Sequence, residues 1–379
     1  MILLGLLITL IYLALIGSFI FGFNKTTTFK LEDIPARTKF SILIPFRNEA
    51  ENLPDLLKSI ENLNYPKHLY EIIFVDDDSN DNSTEIIQKL LKSRPFDCAK
   101  GDIEIISNIR KTNSPKKDAI TSAIKKAKND WIITTDADCK LPKFWLDSFD
   151  EFIQKNNTVC IAAPVTYSNN NTFLNRFQTL DILSLQGATI GGFRLKKPFL
   201  CNGANLCYKK SIFIEVNGFD GNTNIASGDD IFLLEKVSKT YPKQLHYLKC
   251  EKAIVVTKSQ YTWKNLISQR IRWAAKTSAY NNWFGKLTGL VVLLMNAIII
   301  IGLALSIVGV MKFKTLFYIT FIKFNIDFFL IYKSALFFNQ KPVLKSYILG
   351  FIVYPVFSVY VACISMFSGY KWKGRQFKK

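Results

Sequence analysis

The sequence predicts an α/β domain with a mostly parallel sheet, held between apolar helices at both ends of the chain. Three observations carry this expectation. Short β-branched runs alternate with amphipathic stretches from residue 24 to about residue 260, the pattern of helices laid on the faces of a parallel sheet. Uncharged stretches long enough to cross a bilayer stand before and after that section. Hydrophobic residues make up 49% of the chain while charged residues still reach 21%, a mixture that excludes both a disordered chain and a purely polytopic one.

The first element is the uncharged run Ile2 to Phe21. As a helix rising about 1.5 Å per residue it gives roughly 30 Å, the thickness of the hydrocarbon layer. A signal peptide would want basic residues before the run and a small-x-small cleavage site. Neither is present, so residues 1–23 read as an uncleaved anchor. Lys25, Lys30, Arg37 and Lys39 follow it. The positive-inside rule then places the N-terminus outside and the long middle section in the cytoplasm, in an integral protein of a bacterial-type cell membrane.

Within residues 24–260, Phe40 to Pro45, Glu71 to Val75, Ile103 to Ser107, Trp131 to Thr135 and Val159 to Val165 read as strands. Glu51 to Asn62, Ser83 to Lys92 and Lys116 to Lys128 have helical periodicity. The residues after the strands carry the chemistry. Phe46-Arg47-Asn48-Glu49 follows the first, Asp76-Asp77-Asp78-Ser79 the second, and Asp136-Ala137-Asp138 the fourth. Open α/β sheets bind ligands at the carboxyl ends of their strands, so these groups are expected in one crevice. Side chains two apart on extended backbone share a face, which lets Asp136 and Asp138 meet one ion together. Clustered carboxylates need a cation, and Mg2+ or Mn2+ held by one or two carboxylates and substrate phosphates supplies it.

Beyond the domain, Phe173 to Gly191 and Thr262 to Phe284 are aromatic, amphipathic and too polar to span. They read as in-plane helices at the headgroups, the second forming a segment at 261–285. The region 286–370 holds two strong spans, Leu287 to Val310 and Tyr347 to Phe367. Between them, Thr315 to Tyr332 carries Lys323, Asn325 and Asp327, and either spans with its polar side on protein or lies partly re-entrant. Three C-terminal spans put the basic tail 371–379 outside, against the charge rule, and two put it inside. The sequence leaves that parity open.

Seven cysteines form no CxxC pair, which fits reduced thiols in a cytosolic domain. Two histidines, His68 and His246, speak against histidine-rich zinc sites and a Ser-His-Asp triad. The net charge of +19 raises nucleic-acid binding, but the lysines are spread along the chain and no nucleic-acid motif appears. Attraction to anionic headgroups accounts for the charge, so a membrane and no nucleic acid are the expected partners.

In their order along the chain these residues resemble the membrane-bound family-2 glycosyltransferases of GT-A fold. The stretches are Ile44-Pro45-Phe46-Arg47-Asn48-Glu49, Val75-Asp76-Asp77-Asp78-Ser79, Lys116-Lys117-Asp118-Ala119 and Thr135-Asp136-Ala137-Asp138. Asn217-Gly218-Phe219-Asp220, Gly228-Asp229-Asp230 and the QxxRW stretch Gln269-Arg270-Ile271-Arg272-Trp273 complete the set. A lone DxD is a weak signal; the ordered set ending in QxxRW is a strong one. Trp372-Lys373-Gly374-Arg375 also resembles the tail of small membrane glycosyltransferases.

The resemblance implies roles. Pro45, Arg47, Glu49, Asp77, Lys116 and Asp136 would bind the nucleotide sugar, with Asp77 on the base of a uridine nucleotide. Pro115 stands where the family has a glycine before Lys116. Asp136 and Asp138 would hold the metal on the diphosphate. Asp230 would be the general base, with Asp229 in place of the family's usual Glu. Arg272 would stabilise the leaving diphosphate, and Gln269 and Trp273 would face the acceptor. The implied reaction is one in-line displacement with inversion, from a UDP-sugar to a lipid or glycan acceptor. Transfer of a single sugar to a lipid, as in ceramide-glucosyltransferase-like enzymes, is preferred. A processive polysaccharide synthase is the alternative, since QxxRW occurs there with more spans, and an inactive nucleotide-sugar-binding protein is a further one.

Overall fold

The computed structural model describes residues 2–93, 102–367, 369–372 and 375–377. Cys98 and the tail residues Lys373, Gly374, Lys378 and Lys379 therefore lie outside the described residues. The chain forms two compact units. One comprises Thr27–Ser168 and Cys201–Lys258, the other Met1–Thr26, Asn169–Leu200 and Ser259–Lys379.

In chain order the elements begin with α1 (Ile2–Lys25), β1 (Phe40–Phe46), α2 (Leu53–Glu61), β2 (Tyr70–Asp76), α3 (Ser83–Ser93), β3 (Asp102–Ser107) and α4 (Pro115–Lys126). Next come β4 (Trp131–Thr134), α5 (Trp145–Lys155), β5 (Cys160–Ala162), β6 (Val165–Tyr167), α6 (Phe173–Arg194), β7 (Leu206–Lys209) and α7 (Lys210–Glu215). Then follow α8 (Asp229–Thr240), β8 (Leu245–Tyr247), β9 (Val255–Thr257), α9 (Trp263–Ala275) and α10 (Trp283–Ile307). The chain closes with α11 (Phe313–Phe337), α12 (Tyr347–Phe367) and a hairpin of β10 (Tyr370–Trp372) and β11 (Arg375–Phe377).

The first unit is built on a seven-stranded sheet of order β3-β2-β1-β4-β7-β5-β8. Strands β3, β2, β1 and β4 are parallel, and β7 alone runs antiparallel to both its neighbours. Ile42, Leu43 and Ile44 of β1 are all fully buried. A strand covered on both faces must be apolar throughout, and each such side chain contributes on the order of 2 kcal/mol. Trp145 and Phe149 of α5 and Leu53 and Leu56 of α2 close the core over it. The backbone leading into β1 is strapped to α5. Buried Glu151 accepts from the amides of Glu32 and Asp33, and buried Asp150 from that of Thr38.

Two expectations change. The single strand at Val159 to Val165 is two, because Pro164 has no N–H for the ladder and ends the first. Strand β6 then pairs with β9 in a separate two-stranded sheet. The amphipathic stretch Thr262 to Phe284 is also divided. Helix α9 stops at Ala275, a 3-10 turn covers Thr277–Ala279, and α10 restarts with Asn282 Oδ1 accepting from Gly285 N at 2.9 Å.

In the second unit four helices are long and apolar enough to cross a membrane, within Leu3–Lys25, Trp283–Ile307, Phe313–Phe337 and Lys341–Phe367. The stretch at 315–332 left open above is part of one continuous helix, α11. Its polar residues turn inward. Lys323 is 2% exposed and lies 2.5 Å from Asp327, which also accepts from the Tyr12 hydroxyl of α1 at 2.5 Å. Helix α1 runs alongside α11 in the same direction, Tyr12 meeting Asp327 and Phe23 meeting Phe337. Against α6 its backbone comes so close that a Cβ on Gly22 would stand 2.5 Å from Gly191 O. Helix α12 packs on α9 through Phe357 and Val361 against Leu266 and Ile271, and β10 touches α9.

Candidate active site

The sheet unit gathers charged groups where β1, β2, β3 and β4 end. Asn48 and Asp78, after β1 and β2, take left-handed backbone at φ 52° and 63°, which Asn and Asp adopt at little cost. These turns bring Arg47 over the aspartate run. Its Nη1 donates to Asp77 O at 2.6 Å, to Asp78 O, and to Asp78 Oδ2 at 3.2 Å. Asp77 is 6% exposed, and its Oδ1 accepts from Arg110 Nε at 2.6 Å and Asn108 Nδ2 at 2.7 Å. Hydrogen bonds from Arg47 and Arg110 hold the Asp78 carboxyl below the usual carboxylate range. Neither Asn108 nor Arg110 was singled out in the sequence, although both directly follow the third strand and the same strand-end rule reaches them.

Asn108 Nδ2 also donates to Pro115 O at 3.0 Å, which ties this group to the start of α4. The next residue is Lys116, and around it the other expected residues meet. Its Nζ is 2.7 Å from Asp136 Oδ1 and 3.4 Å from Asp229 Oδ2. Burial opposes its charge, but Asp136 and then Asp229 outweigh burial and raise the ammonium above its ordinary range. Asp230, beside Asp229 in the first turn of α8, accepts from Ile231 N at 2.8 Å and from Gly203 N at 3.1 Å. Gly203 belongs to this site by contact, since a Cβ there would lie 3.0 Å from Asp229 Oδ2. The turn carrying it is pinned by Thr134 Oγ1 donating to Gly203 O at 2.7 Å.

The loop leading into α8 is held by two lysines. Lys117, 1% exposed, donates to Asn222 O at 2.7 Å and Ile225 O at 3.0 Å, with its ammonium 4.6 Å from the Phe232 ring centre. Lys236 donates to Gly218 O at 2.8 Å and Asp220 O at 2.9 Å. Sequence alone gave Lys117 no role, because nothing in it shows that its neighbour Lys116 and it point to different partners.

Pro45 sits inside β1, in register with Val75. Glu49 is buried and accepts from Asn52 Nδ2, while its own amide donates to Ser83 Oγ at 2.8 Å, so it braces the start of α2. The Asp136-Ala137-Asp138 stretch departs from its expected geometry. Strand β4 ends at Thr134, and the aspartates lie on a turn closed by Cys139 N donating to Asp136 O at 3.2 Å. Extended-backbone spacing is therefore not what relates them. Among the described residues no three His, Cys, Asp or Glu side chains gather as a metal cage. The donor chemistry still fits a hard cation bound jointly with phosphates, since Asp136, paired with the cationic Lys116, and Asp138 two residues on both offer carboxylate oxygens.

Gln269, Arg272 and Trp273 lie on α9, in the helical unit. There the buried Arg270 pairs with Asp181 of α6, its Nη2 2.7 Å from Asp181 Oδ2. It stacks on Trp273, 4.1 Å from the ring centre.

Residues 41–216 match the Glycosyl transferase family 2, and residues 131–367, well over half the chain, match the Glycosyl transferase family group 2. This chain belongs to the family 2 glycosyltransferases. The Probable glycosyltransferase YdaM of Bacillus subtilis (strain 168) is 28% identical over 263 residues, 67% of this chain and 60% of that protein. A Poly-beta-1,6-N-acetyl-D-glucosamine synthase of Staphylococcus epidermidis is 26% identical over 243 residues, 62% of this chain and 53% of that protein. The chain thus spans between about half and three-fifths of the length of these curated relatives. The Mannosyltransferase PcManGT from Pyrobaculum calidifontis in complex with GDP-Man and Mn2+ superposes with a TM-score of 0.57 at 12% identity, covering 97% of this chain and 99% of that one. At that identity the likeness speaks for the fold, and the fold is GT-A.

Proposed function

We propose that this family 2 glycosyltransferase moves a sugar from a nucleotide sugar, a UDP-sugar by the Asp77 reading, to a membrane-associated lipid acceptor. The observation that carries the reading is the convergence of Asp136, Asp229 and Asp230 on Lys116 at the strand ends of the sheet unit. Lys116 faces Asp136 and Asp229 at once, which suits a site that exchanges partners when a diphosphate and its cation arrive.

In this mechanism Asp77, fixed by Asn108 and Arg110, presents its carboxylate to the base. Mg2+ or Mn2+, held by Asp136 and Asp138 with the diphosphate, supplies charge neutralisation when bound. Asp230, oriented by the amides of Ile231 and Gly203, takes the proton of the acceptor hydroxyl as that oxygen attacks the anomeric carbon from the face opposite the leaving group. Asp229 keeps Lys116 on the diphosphate side. Arg272 keeps its role on the leaving diphosphate, and Gln269 and Trp273 theirs on the acceptor.

The second reading, a processive synthase, is favoured by the poly-β-1,6-N-acetyl-D-glucosamine synthases among the relatives. Mass spectrometry of lipid extracts after expression with a panel of UDP-sugars separates the two. A new glycolipid bearing one sugar supports single transfer; a polymer retained after detergent extraction replaces it.

A further inference from the structure

We propose that Asp181 and Arg270 are a positioning pair that sets the acceptor-side residues Gln269 and Trp273, an inference that rests on the acceptor role given to those two above. The guanidinium of Arg270 meets Asp181, Gln269 and Trp273 together. Nε donates to Asp181 Oδ2 at 2.8 Å, Nη2 lies 2.7 Å from the same oxygen as an ion-pair contact, Nη1 donates to Gln269 Oε1, and the face lies 4.1 Å from the Trp273 ring centre. One planar cation thereby orients an amide and an indole together, and Asp181 fixes the plane of that cation. A lysine has the charge but neither the fork nor the flat face.

The pair is buried, with side-chain exposures of 7% for Arg270 and 5% for Asp181. Buried ion pairs return little net stability over apolar replacements, so their use points to specifying an arrangement. Other contacts already join α6 to α9 and to the residues just before it. Gln178 of α6 exchanges two hydrogen bonds with the backbone of Gln260, and Asn175 donates to Ser259 Oγ at 2.8 Å. Leu266 and Ile271 pack with Phe177. Helix α9 therefore stays on α6 without the ion pair, and what Asp181 adds is the orientation of Arg270. Asp181 lies outside the QxxRW stretch, 89 residues away in sequence from Arg270.

The test uses the full chain in detergent, with UDP-glucose, UDP-galactose and UDP-N-acetylglucosamine as donors and mixed micelles of total polar lipid extract as acceptor. Asp181→Asn and Arg270→Lys are compared with the wild type. Both should raise the apparent KM for extract at least about tenfold, while donor KM and acceptor-independent release of UDP stay within about twofold. Unchanged acceptor KM in both variants, or an equal loss of UDP release and transfer, overturns the proposal. A readout independent of turnover is the emission of Trp273, taken as the difference between each protein and its Trp273→Phe counterpart. It should shift to the red in Asp181→Asn, and an unshifted emission overturns the proposal. A wild type that releases UDP from no donor would count against the proposed function instead, and the emission would still decide the pair.

Discussion

Lys116 Nζ stands 2.7 Å from Asp136 Oδ1, making one ammonium the hinge between the fourth strand end and the first turn of α8. Removing it takes a counter-charge from Asp136 and Asp229. Lys116→Met should therefore raise donor KM at least about tenfold and lower kcat by about two orders of magnitude. Initial rates across donor concentrations decide this, and a variant with wild-type constants would show that Lys116 is a structural ion-pair partner only.

Metal dependence follows from the same group. With Asp136 drawn to Lys116 and no three-carboxylate cage among the described residues, a divalent ion should bind only together with the diphosphate. Chelator should abolish transfer reversibly, with recovery on adding manganese or magnesium. Asp138→Asn should abolish it at any metal concentration while the thermal unfolding midpoint is kept. Full turnover in chelator would remove the metal from the mechanism.

Lys117 gives a prediction about stability. Replacing it with Met leaves the carbonyls of Asn222 and Ile225 without their buried donor, each worth about 1–3 kcal/mol. Lys117→Met should lower the unfolding midpoint and expose the 217–228 loop to protease, with transfer falling because that loop leads into Asp229 and Asp230. Unaltered proteolysis and midpoint would mean that the loop is held by other contacts.

Topology is testable with thiol reagents in a background freed of exposed cysteines. Asn82→Cys, in an exposed turn of the sheet unit, should resist an impermeant reagent in intact cells and react after lysis. The same reagent on a cysteine appended after Lys379 decides the parity of the C-terminal helices, since three spans place it outside and two place it inside. Labelling of Asn82→Cys in intact cells would remove access to cytosolic nucleotide sugars.

Much of this was legible in the sequence, and what was missed has identifiable physical causes. The first four strands have the expected starts and ends to within a residue, because β1, β2 and β4 are largely buried apolar runs with polar or charged turns close behind them, and β3 keeps an alternating Ile103–Ile105 face. Strand β7 escaped because Leu206-Cys207-Tyr208-Lys209 is too short to show alternation and is made a strand by pairing with β4 and β5. The aspartates after β4 were placed on extended backbone because hydropathy marks where a strand exists and not the residue at which it turns. The Asp181–Arg270 pair was invisible for another reason. QxxRW drew attention to the lettered positions, and the ion pair uses the first unlettered one with a partner far away in sequence.

The central claim is that Asp230 acts on the acceptor and Asp77 on the donor, and a paired measurement of donor binding and transfer tests it most directly. Asp230→Asn keeps the size and the amide contacts but cannot take a proton at neutral pH. It should bind UDP-sugar in calorimetry as tightly as wild type while transfer falls by about two to four orders of magnitude. Asp77→Asn should instead weaken UDP-sugar binding. Equal loss of donor binding in the two variants, or near-normal transfer by Asp230→Asn, would contradict the claim.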